Sequence, residues 1–257
     1  MSAPPPDPAP RRKRQVLILG NGFGRRLGRL SGADHKLMID IGGATLFERI
    51  LTELEATDPD DTSLRVWLRH REPLAERLAA QSRCRVEFAY EQPTGRLSEL
   101  IRATRGATGY LTLIDSDRLA PPGSLSMFLR LARSMEGSAD ICLGVTNAQP
   151  DDEDDTRYLL DKSGAVTEIR RMSGTAPGLT SAGYYHWHPD VLRDLKRYAR
   201  GTQNLTTCVG AAVECGAKTV AVGIAYSANI NTVETLESAR EAEAAWSAAP
   251  TQSPSAG

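Results

Sequence analysis

The sequence predicts an α/β fold in which a mostly parallel β-sheet is flanked by helices, with antiparallel hairpin additions at one edge. Two observations lead to this prediction. Short apolar runs alternate along the chain with longer segments whose apolar residues recur every three or four positions. Parallel strands are buried on both faces and therefore need helices on both sides. The chain has 257 residues, 40% hydrophobic and 25% charged, which is typical of a globular domain.

The first half of the chain contains this alternation in its regular form. Its apolar runs predict strands at 15–19, 64–69, 85–90, 109–115 and 139–145. The segments between them predict helices at 45–56, 72–81, 96–105 and 123–135. The first helix illustrates the pattern, because its apolar residues share one helical face: Leu46, Phe47, Ile50, Leu51 and Leu54.

The pattern changes in the second half. Two short apolar segments around a Lys-Ser-Gly turn predict a β-hairpin over 157–171. Two further strands are predicted at 181–187 and 218–224. Helices are predicted at 189–199, 205–216 and 232–246, the last with Thr232 as its N-cap. We expect the antiparallel additions over the carboxyl edge of the sheet, where open α/β sheets bind ligands.

Composition limits the organisation and the partners of the protein. One domain is predicted over 15–245, between disordered tails at 1–14 and 246–257 that are rich in proline and small residues. The net charge of -1 argues against a nucleic-acid partner. No apolar run approaches the roughly 20 residues of a membrane helix, and the N-terminal segment lacks the apolar core of a secretory signal. We therefore expect a cytoplasmic protein without a membrane partner; a homodimer is compatible with the sequence, which does not fix the oligomeric state.

The segment that follows the first strand combines glycines with arginines and one lysine. Glycine lets a ligand approach the backbone closely, and the cations suit phosphate. The P-loop pattern GxxxxGK[ST] is absent. The dinucleotide pattern GxGxxG begins at Gly20 and Gly22, but Arg25 stands where its third glycine belongs. The segment therefore predicts a phosphate-binding loop of another kind.

Residues 16–51 resemble the signature of the sugar-nucleotidyltransferase superfamily, the GT-A-like pyrophosphorylases. The positions in register are Leu19, Gly22, Gly24, Arg26, Leu27, Leu30, Lys36, Leu37, Ile41, Gly43, Leu46 and Leu51. Later segments resemble other parts of the same family, in the family's order: 91–100, 111–117, 159–171, 181–185 and 229–243. The resemblance implies a GT-A/Rossmann-like fold. The spacing is most similar to that of the small sugar-phosphate and phospho-alcohol cytidylyltransferases, including the inositol-phosphate and phosphocholine types.

The resemblance also implies an activity and a set of site residues. It implies a Mg²⁺-dependent enzyme that joins an NTP (CTP, UTP, GTP or dTTP) to a sugar 1-phosphate or a related phosphate monoester and releases pyrophosphate. Catalytic roles fall on Arg26, at the triphosphate, and on Lys36, between the α-phosphate and the acceptor. The residues expected at the nucleotide are Leu19, Gly20, Asn21, Gly22, Gly24, Arg25, Gln92, Gly95 and Asp115. Those expected at the acceptor are Arg171, Gly183 and Tyr184, and those expected at the metal are Asp117, Asn229 and Asn231.

The metal site departs most from the family pattern. Asp115 and Asp117 end a predicted strand with one residue between them, so both carboxylates can face one Mg²⁺. Where the family usually adds a second aspartate, this chain offers Asn229 or Asn231, whose neutral oxygens Mg²⁺ also accepts. Two alternatives remain open. A GT-A glycosyltransferase would also use the Asp-x-Asp pair, and a non-catalytic nucleotide- or sugar-phosphate-binding module would explain the asparagines.

Overall fold

The computed structural model describes residues 14–22, 27, 34–147, 156–171 and 178–248, without the side chain of Arg171. The two predicted tails lie outside these residues, apart from their inner ends. The strands are β1 (Arg14–Leu19), β2 (Asp40–Ile41), β3 (Ala44–Thr45), β4 (Thr62–Leu68), β5 (Arg85–Tyr90), β6 (Leu111–Asp115), β7 (Arg118–Leu119), β8 (Ile141–Asn147), β9 (Thr156–Leu160), β10 (Val166–Arg171), β11 (Leu179–Trp187), β12 (Thr219–Gly223) and β13 (Ala228–Asn229). The helices are α1 (Leu46–Thr57), α2 (Pro73–Gln81), α3 (Arg96–Ala103), α4 (Ser124–Ser134), α5 (Pro189–Tyr198), α6 (Leu205–Glu214) and α7 (Val233–Ala248).

The central sheet confirms the predicted α/β class. β1 pairs in parallel with β4 and with β6, and β4 pairs in parallel with β5. β11 runs antiparallel to β6 and to β8, and β12 is parallel to β8. β11 is therefore the reversed strand in the middle of the described sheet. The hairpin of β9 and β10 joins the sheet through the start of β11, which is the antiparallel addition that the sequence predicts.

Helices cover both faces of this sheet. Val16 and Ile18 of β1 are buried in a cluster that includes Phe128 of α4. Leu17, between them, is buried in a second cluster that includes Leu192 of α5. Successive side chains of a strand point to opposite faces, so β1 is buried from both sides, as a central parallel strand must be.

The helix starts follow local capping. Thr45 and Glu48 form a capping box at the start of α1. At α7, the Thr232 Oγ1 accepts a hydrogen bond from the Thr235 N–H at 3.3 Å, which is the predicted N-cap. Among the helices of the described residues, none has both the length and the apolar character that crossing a membrane requires.

Two small sheets have no counterpart in the prediction. β2 pairs with β3 across a turn, and β7 pairs with β13. Strands of two residues show no periodicity, so a sequence pattern cannot reveal them. The second pairing places Arg118 opposite Asn229 and thereby brings the chain after β6 against the chain before α7.

Candidate active site

The chain segments that follow β1 and β6 line a cavity of about 340 Å³ at the carboxyl edge of the sheet. Leu19 and Asp115 are partners in the register of these two strands, so the strand ends lie side by side. The cavity contains nine of the residues predicted from the sequence: Leu19, Gly20, Asn21, Gly22, Lys36, Gly95, Asp115, Asp117 and Asn231. This is the edge at which open α/β sheets bind ligands.

Position 20 leaves little room for a side chain where the chain leaves β1 and meets the cavity. The Gly20 N–H donates to the Trp67 carbonyl oxygen at 2.8 Å. A Cβ at position 20 would lie 3.1 Å from the Leu68 Cδ2 and 3.3 Å from that carbonyl oxygen. At Gly22 a Cβ would meet nothing within 4 Å, so packing leaves this position open to a ligand.

Lys36 connects two segments that are distant in sequence. It begins a 3-10 turn (Lys36–Met38) that the buried Leu37 anchors. Its Nζ donates to the Asp117 Oδ2 at 2.9 Å and also to the Asn231 Oδ1. Burial opposes ionisation of the Asp117 carboxyl, but the charge and the hydrogen bond of Lys36 outweigh it and hold the pKa of Asp117 below its usual value.

Asp115 has a different environment, although only one residue separates it from Asp117. Its carboxylate pairs with the Arg96 guanidinium, which lies 5.4 Å from the centroid of the Tyr185 ring. Burial raises the pKa of Asp115 above its usual value; Arg96 opposes the shift and the charge of Asp117 adds to it. Arg96 is not among the site residues expected from the sequence, where its one signal is a basic side chain directly after Gly95.

Gly183 allows β11 to pass close behind these carboxylates. Its φ is 86°, a left-handed conformation that favours glycine. A Cβ there would lie 2.7 Å from the Arg118 Cγ and 3.0 Å from the Asp115 Cβ. Gly183 was predicted at the acceptor, but it lines neither cavity and instead packs behind the site.

A second cavity of about 320 Å³ adjoins the first. The two cavities share Arg96, Asp115, Asp117 and Asn231. The remaining lining residues of the second cavity are mostly polar: Arg118, Thr156, Ser181, Tyr185, Asn204, Thr206 and Asn229. The two carboxylates therefore lie where the cavities meet, with room for a ligand on each side.

Neither a protein-family model nor a curated protein matches the sequence. Among solved structures, a candidate glucose-1-phosphate thymidylyltransferase from Bacillus anthracis has a TM-score of 0.73 at 13% identity, over 89% of this chain and 94% of that chain. A UDP-glucose pyrophosphorylase in complex with UDP-glucose has a TM-score of 0.70 at 13% identity, over 90% and 98%. A CTP:phosphocholine cytidylyltransferase from Streptococcus pneumoniae has a TM-score of 0.69 at 15% identity, over 90% and 99%. The chain has the sugar-nucleotidyltransferase fold.

Five more of the predicted site residues are not seen at the two cavities, for different reasons. Gly24, Arg25 and Arg26 lie outside the described residues, so their roles stay predictions. Arg171 is described only through its backbone, which pairs with Thr156 in the hairpin of β9 and β10. Gln92 is described, but it is exposed and is not among the residues that line the two cavities.

The structure places the side chain of Tyr184 away from the two cavities. Its side chain is buried against Phe128, with ring centroids 5.4 Å apart, and it lines neither cavity. Tyr185 lines the second cavity instead. The register of β11 shifts between Ser181 and Tyr185, around Gly183, whereas the prediction of Tyr184 came from the resemblance of residues 181–185 to a family motif.

The donor set fits a hard divalent cation. Asp117 provides a carboxylate, and Asn231 provides an amide oxygen that already faces a cation, the Lys36 ammonium. The Asn229 Oδ1 is buried and accepts no hydrogen bond from any described residue. Oxygen atoms of this kind are the ligands that Mg²⁺ prefers. With one carboxylate and two neutral amides, the predicted Mg²⁺ site is chemically consistent, and its charge is low.

Proposed function

We propose that the protein is a nucleotidylyltransferase that joins an NTP to a sugar 1-phosphate or a related phosphate monoester and releases pyrophosphate. The position of Lys36 carries this proposal: its ammonium lies beside Asp117 and Asn231, where the two cavities meet. A reaction between two phosphate groups needs a cation at their point of contact. Two solved structures of the same fold are named for reactions of this type, a UDP-glucose pyrophosphorylase and a CTP:phosphocholine cytidylyltransferase.

In the proposed reaction an oxygen of the acceptor phosphate attacks the α-phosphorus of the NTP, and the bond from that phosphorus to pyrophosphate breaks. The acceptor phosphate is already an anion, so the step requires no strong general base. The first cavity takes the nucleotide, with the backbone of Gly22 open to phosphate oxygens. Lys36 neutralises charge between the two reacting phosphates, and Arg26 keeps its predicted role at the triphosphate.

The second cavity takes the acceptor. The guanidinium groups of Arg96 and Arg118 suit its phosphate, because a guanidinium can bind two phosphate oxygens at once. Asn204 and Thr206 offer an amide and a hydroxyl to the hydroxyl groups of a sugar or polyol. Tyr185 replaces Tyr184 as the aromatic residue of this cavity.

Mg²⁺ is the expected cofactor, and Asp117, Asn229 and Asn231 are the residues that would hold it. A bound ion would polarise the phosphoryl oxygens and neutralise charge on the leaving pyrophosphate. The protein itself contributes two neutral amides and one carboxylate. We therefore expect appreciable metal binding only together with the NTP, whose own oxygens complete the coordination.

A substrate matrix tests the proposal. CTP, UTP, GTP and dTTP are each combined with a panel of sugar 1-phosphates and phospho-alcohols in the presence of Mg²⁺, and pyrophosphate release is measured. We expect release with at least one pair, and loss of that release in Asp117→Ala at any Mg²⁺ concentration. Sugar transfer from an NDP-sugar, without pyrophosphate release from any pair, would identify a glycosyltransferase instead. NTP binding without turnover of any pair would identify a binding module.

A further inference from the structure

Asn21 and Glu99 form a buried polar pair in the wall of the first cavity. Each is 2% exposed, and both line the cavity. The Asn21 Nδ2 donates to the Glu99 Oε1 at 2.9 Å, and the Thr94 N–H donates to the same oxygen at 2.7 Å. The Glu99 N–H donates to the Gly95 carbonyl oxygen at 3.0 Å, and Pro93 and Gly95 line the same cavity. The proposed function puts the NTP in this cavity with its phosphates at Lys36, which leaves the Asn21 and Glu99 pair for the base.

The hydrogen bonds of Glu99 are incomplete. A carboxylate has two acceptor oxygens with about four lone-pair directions. Both donors to Glu99 bind Oε1, and no described residue donates to Oε2. A ligand that enters the cavity and supplies N–H groups therefore finds an acceptor in this oxygen.

Glu99 also fixes the orientation of Asn21. The Asn21 Nδ2 donates to the Glu99 Oε1, so Asn21 presents its NH₂ group to Glu99. The remaining polar atom of Asn21 is then its carbonyl oxygen, Oδ1. The pair consequently offers the cavity two acceptors, the Glu99 Oε2 and the Asn21 Oδ1, beside the second N–H of the Asn21 amide.

We propose that Glu99 and Asn21 select a nucleobase with two adjacent N–H donors, which among the common bases is guanine, through its N1–H and 2-amino groups. Cytosine and adenine offer one amino group next to an acceptor nitrogen. Uracil and thymine offer one N–H between two carbonyl oxygens, which would face the carboxylate. This inference rests on the proposed function only in assuming that the base of an NTP enters the first cavity.

The test compares nucleotide binding, independently of turnover. Dissociation constants of GTP, ITP, CTP and UTP for the unmodified protein are measured by isothermal titration calorimetry with Mg²⁺ present. ITP differs from GTP only by the missing 2-amino group. We expect GTP to bind at least roughly tenfold more tightly than ITP, as the loss of one hydrogen bond to a charged acceptor implies, and UTP to bind most weakly.

Two variants locate the effect. In Glu99→Gln the size of the side chain is kept but the charge is removed, so the ratio of ITP to GTP dissociation constants should fall towards one. Ser98→Ala is the matched control on the same helix turn, because the Ser98 hydroxyl donates to Gln203 outside the cavity. This control should keep the ratio of the unmodified protein. If Glu99→Gln does not fold, the ratio in the unmodified protein still decides.

The outcomes separate this inference from the proposed function. Equal affinity for GTP and ITP, or preference for UTP or CTP, would overturn the base selection while pyrophosphate release keeps the proposed function intact. Equal weakening of every NTP in Glu99→Gln would show that the residue supports the cavity without reading the base. If no NTP binds, both the inference and the proposed function are wrong.

Discussion

Replacing Lys36 by Met removes an ammonium whose nitrogen lies 2.9 Å from the Asp117 Oδ2, and it keeps a side chain of similar length. If Lys36 acts between the two reacting phosphates, kcat/KM should fall by roughly 100-fold to 1,000-fold. This magnitude corresponds to about 3–4 kcal/mol for one preorganised group aimed at charge that develops in the transition state. The assay is pyrophosphate release with the best substrate pair from the matrix.

The fold should tolerate this change. The side chains of Lys36 and Asp117 are 17% and 26% exposed, so their ion pair is partly hydrated and its net contribution to the free energy of unfolding is about 1 kcal/mol. The turn itself is held by Leu37 and Met38, which are buried. Urea unfolding of Lys36→Met should therefore show a small loss of stability beside a large loss of activity.

Metal binding gives a second readout for the same variant. In the structure the Lys36 ammonium occupies the oxygen atoms of Asp117 and Asn231 that would hold Mg²⁺. Removing this cation should strengthen binding of Mn²⁺, used as a spectroscopic probe, when no nucleotide is present. Lys196→Met, at an exposed position of α5, is the matched control and should change neither activity nor Mn²⁺ binding. A folded Lys36→Met variant with kcat/KM within threefold of the original would refute the assignment of Lys36.

Three further predictions follow from the geometry around the site. Gly183→Ala should lower the free energy of unfolding by about 2–4 kcal/mol, since it combines a φ of 86° with a Cβ only 3.0 Å from that of Asp115. Gly164→Ala is the control: its φ is 83°, but a Cβ there would meet no atom within 4 Å, so the free energy of unfolding should fall by only about 1–2 kcal/mol. Equal losses of stability for the two variants in urea unfolding would refute the crowding at Gly183. Arg96→Met should shift the acid limb of the pH–rate profile to higher pH, because burial raises the pKa of Asp115 and Arg96 opposes that rise; an unmoved limb would mean that Asp115 does not titrate in the active range. Burial lowers the pKa of His35, so the unfolded chain binds a proton first as the pH falls, and stability should decrease below about pH 6.5. His35→Gln should lose this part of the decrease, and the same difference between pH 7.5 and pH 5.5 in both proteins, measured by urea unfolding, would contradict the explanation.

The sequence predicts well what depends on local periodicity. The continuous apolar run of β1, for example, predicts a strand buried on both faces, and Leu17 does pack on the opposite face of the sheet from Val16 and Ile18. The long amphipathic segments likewise form helices. It also identifies Lys36 and Asp117 separately, because each lies in a recognisable motif. The sequence does not show that Lys36 and Asp117 are in contact, because 81 residues separate them. The pairing of β7 with β13, which brings the chain around Asp117 and Asn229 together, involves strands too short to show a periodic pattern.

The burial of Glu99 could not be predicted from the sequence. In the sequence it is one charged residue of a helix whose other face is apolar, and such residues are usually exposed. Its burial depends on Asn21, which is 78 residues away and follows a different strand. No window of the sequence contains both residues, so the pair can be recognised only when the fold brings the ends of β1 and the start of α3 together.

Asp115 and Asp117 carry the strongest argument that a motif does not determine a role. By their spacing alone, both side chains can face one metal ion, and only the family resemblance gives the metal role to Asp117. In the structure Asp115 pairs with Arg96, and burial raises its pKa, whereas Asp117 contacts Lys36, which helps to hold its pKa below the usual value. A cation that enters the site therefore meets one carboxylate that is fully ionised and another that is already paired with a guanidinium. The metal role should accordingly fall on Asp117, while Asp115 positions Arg96 between the two cavities.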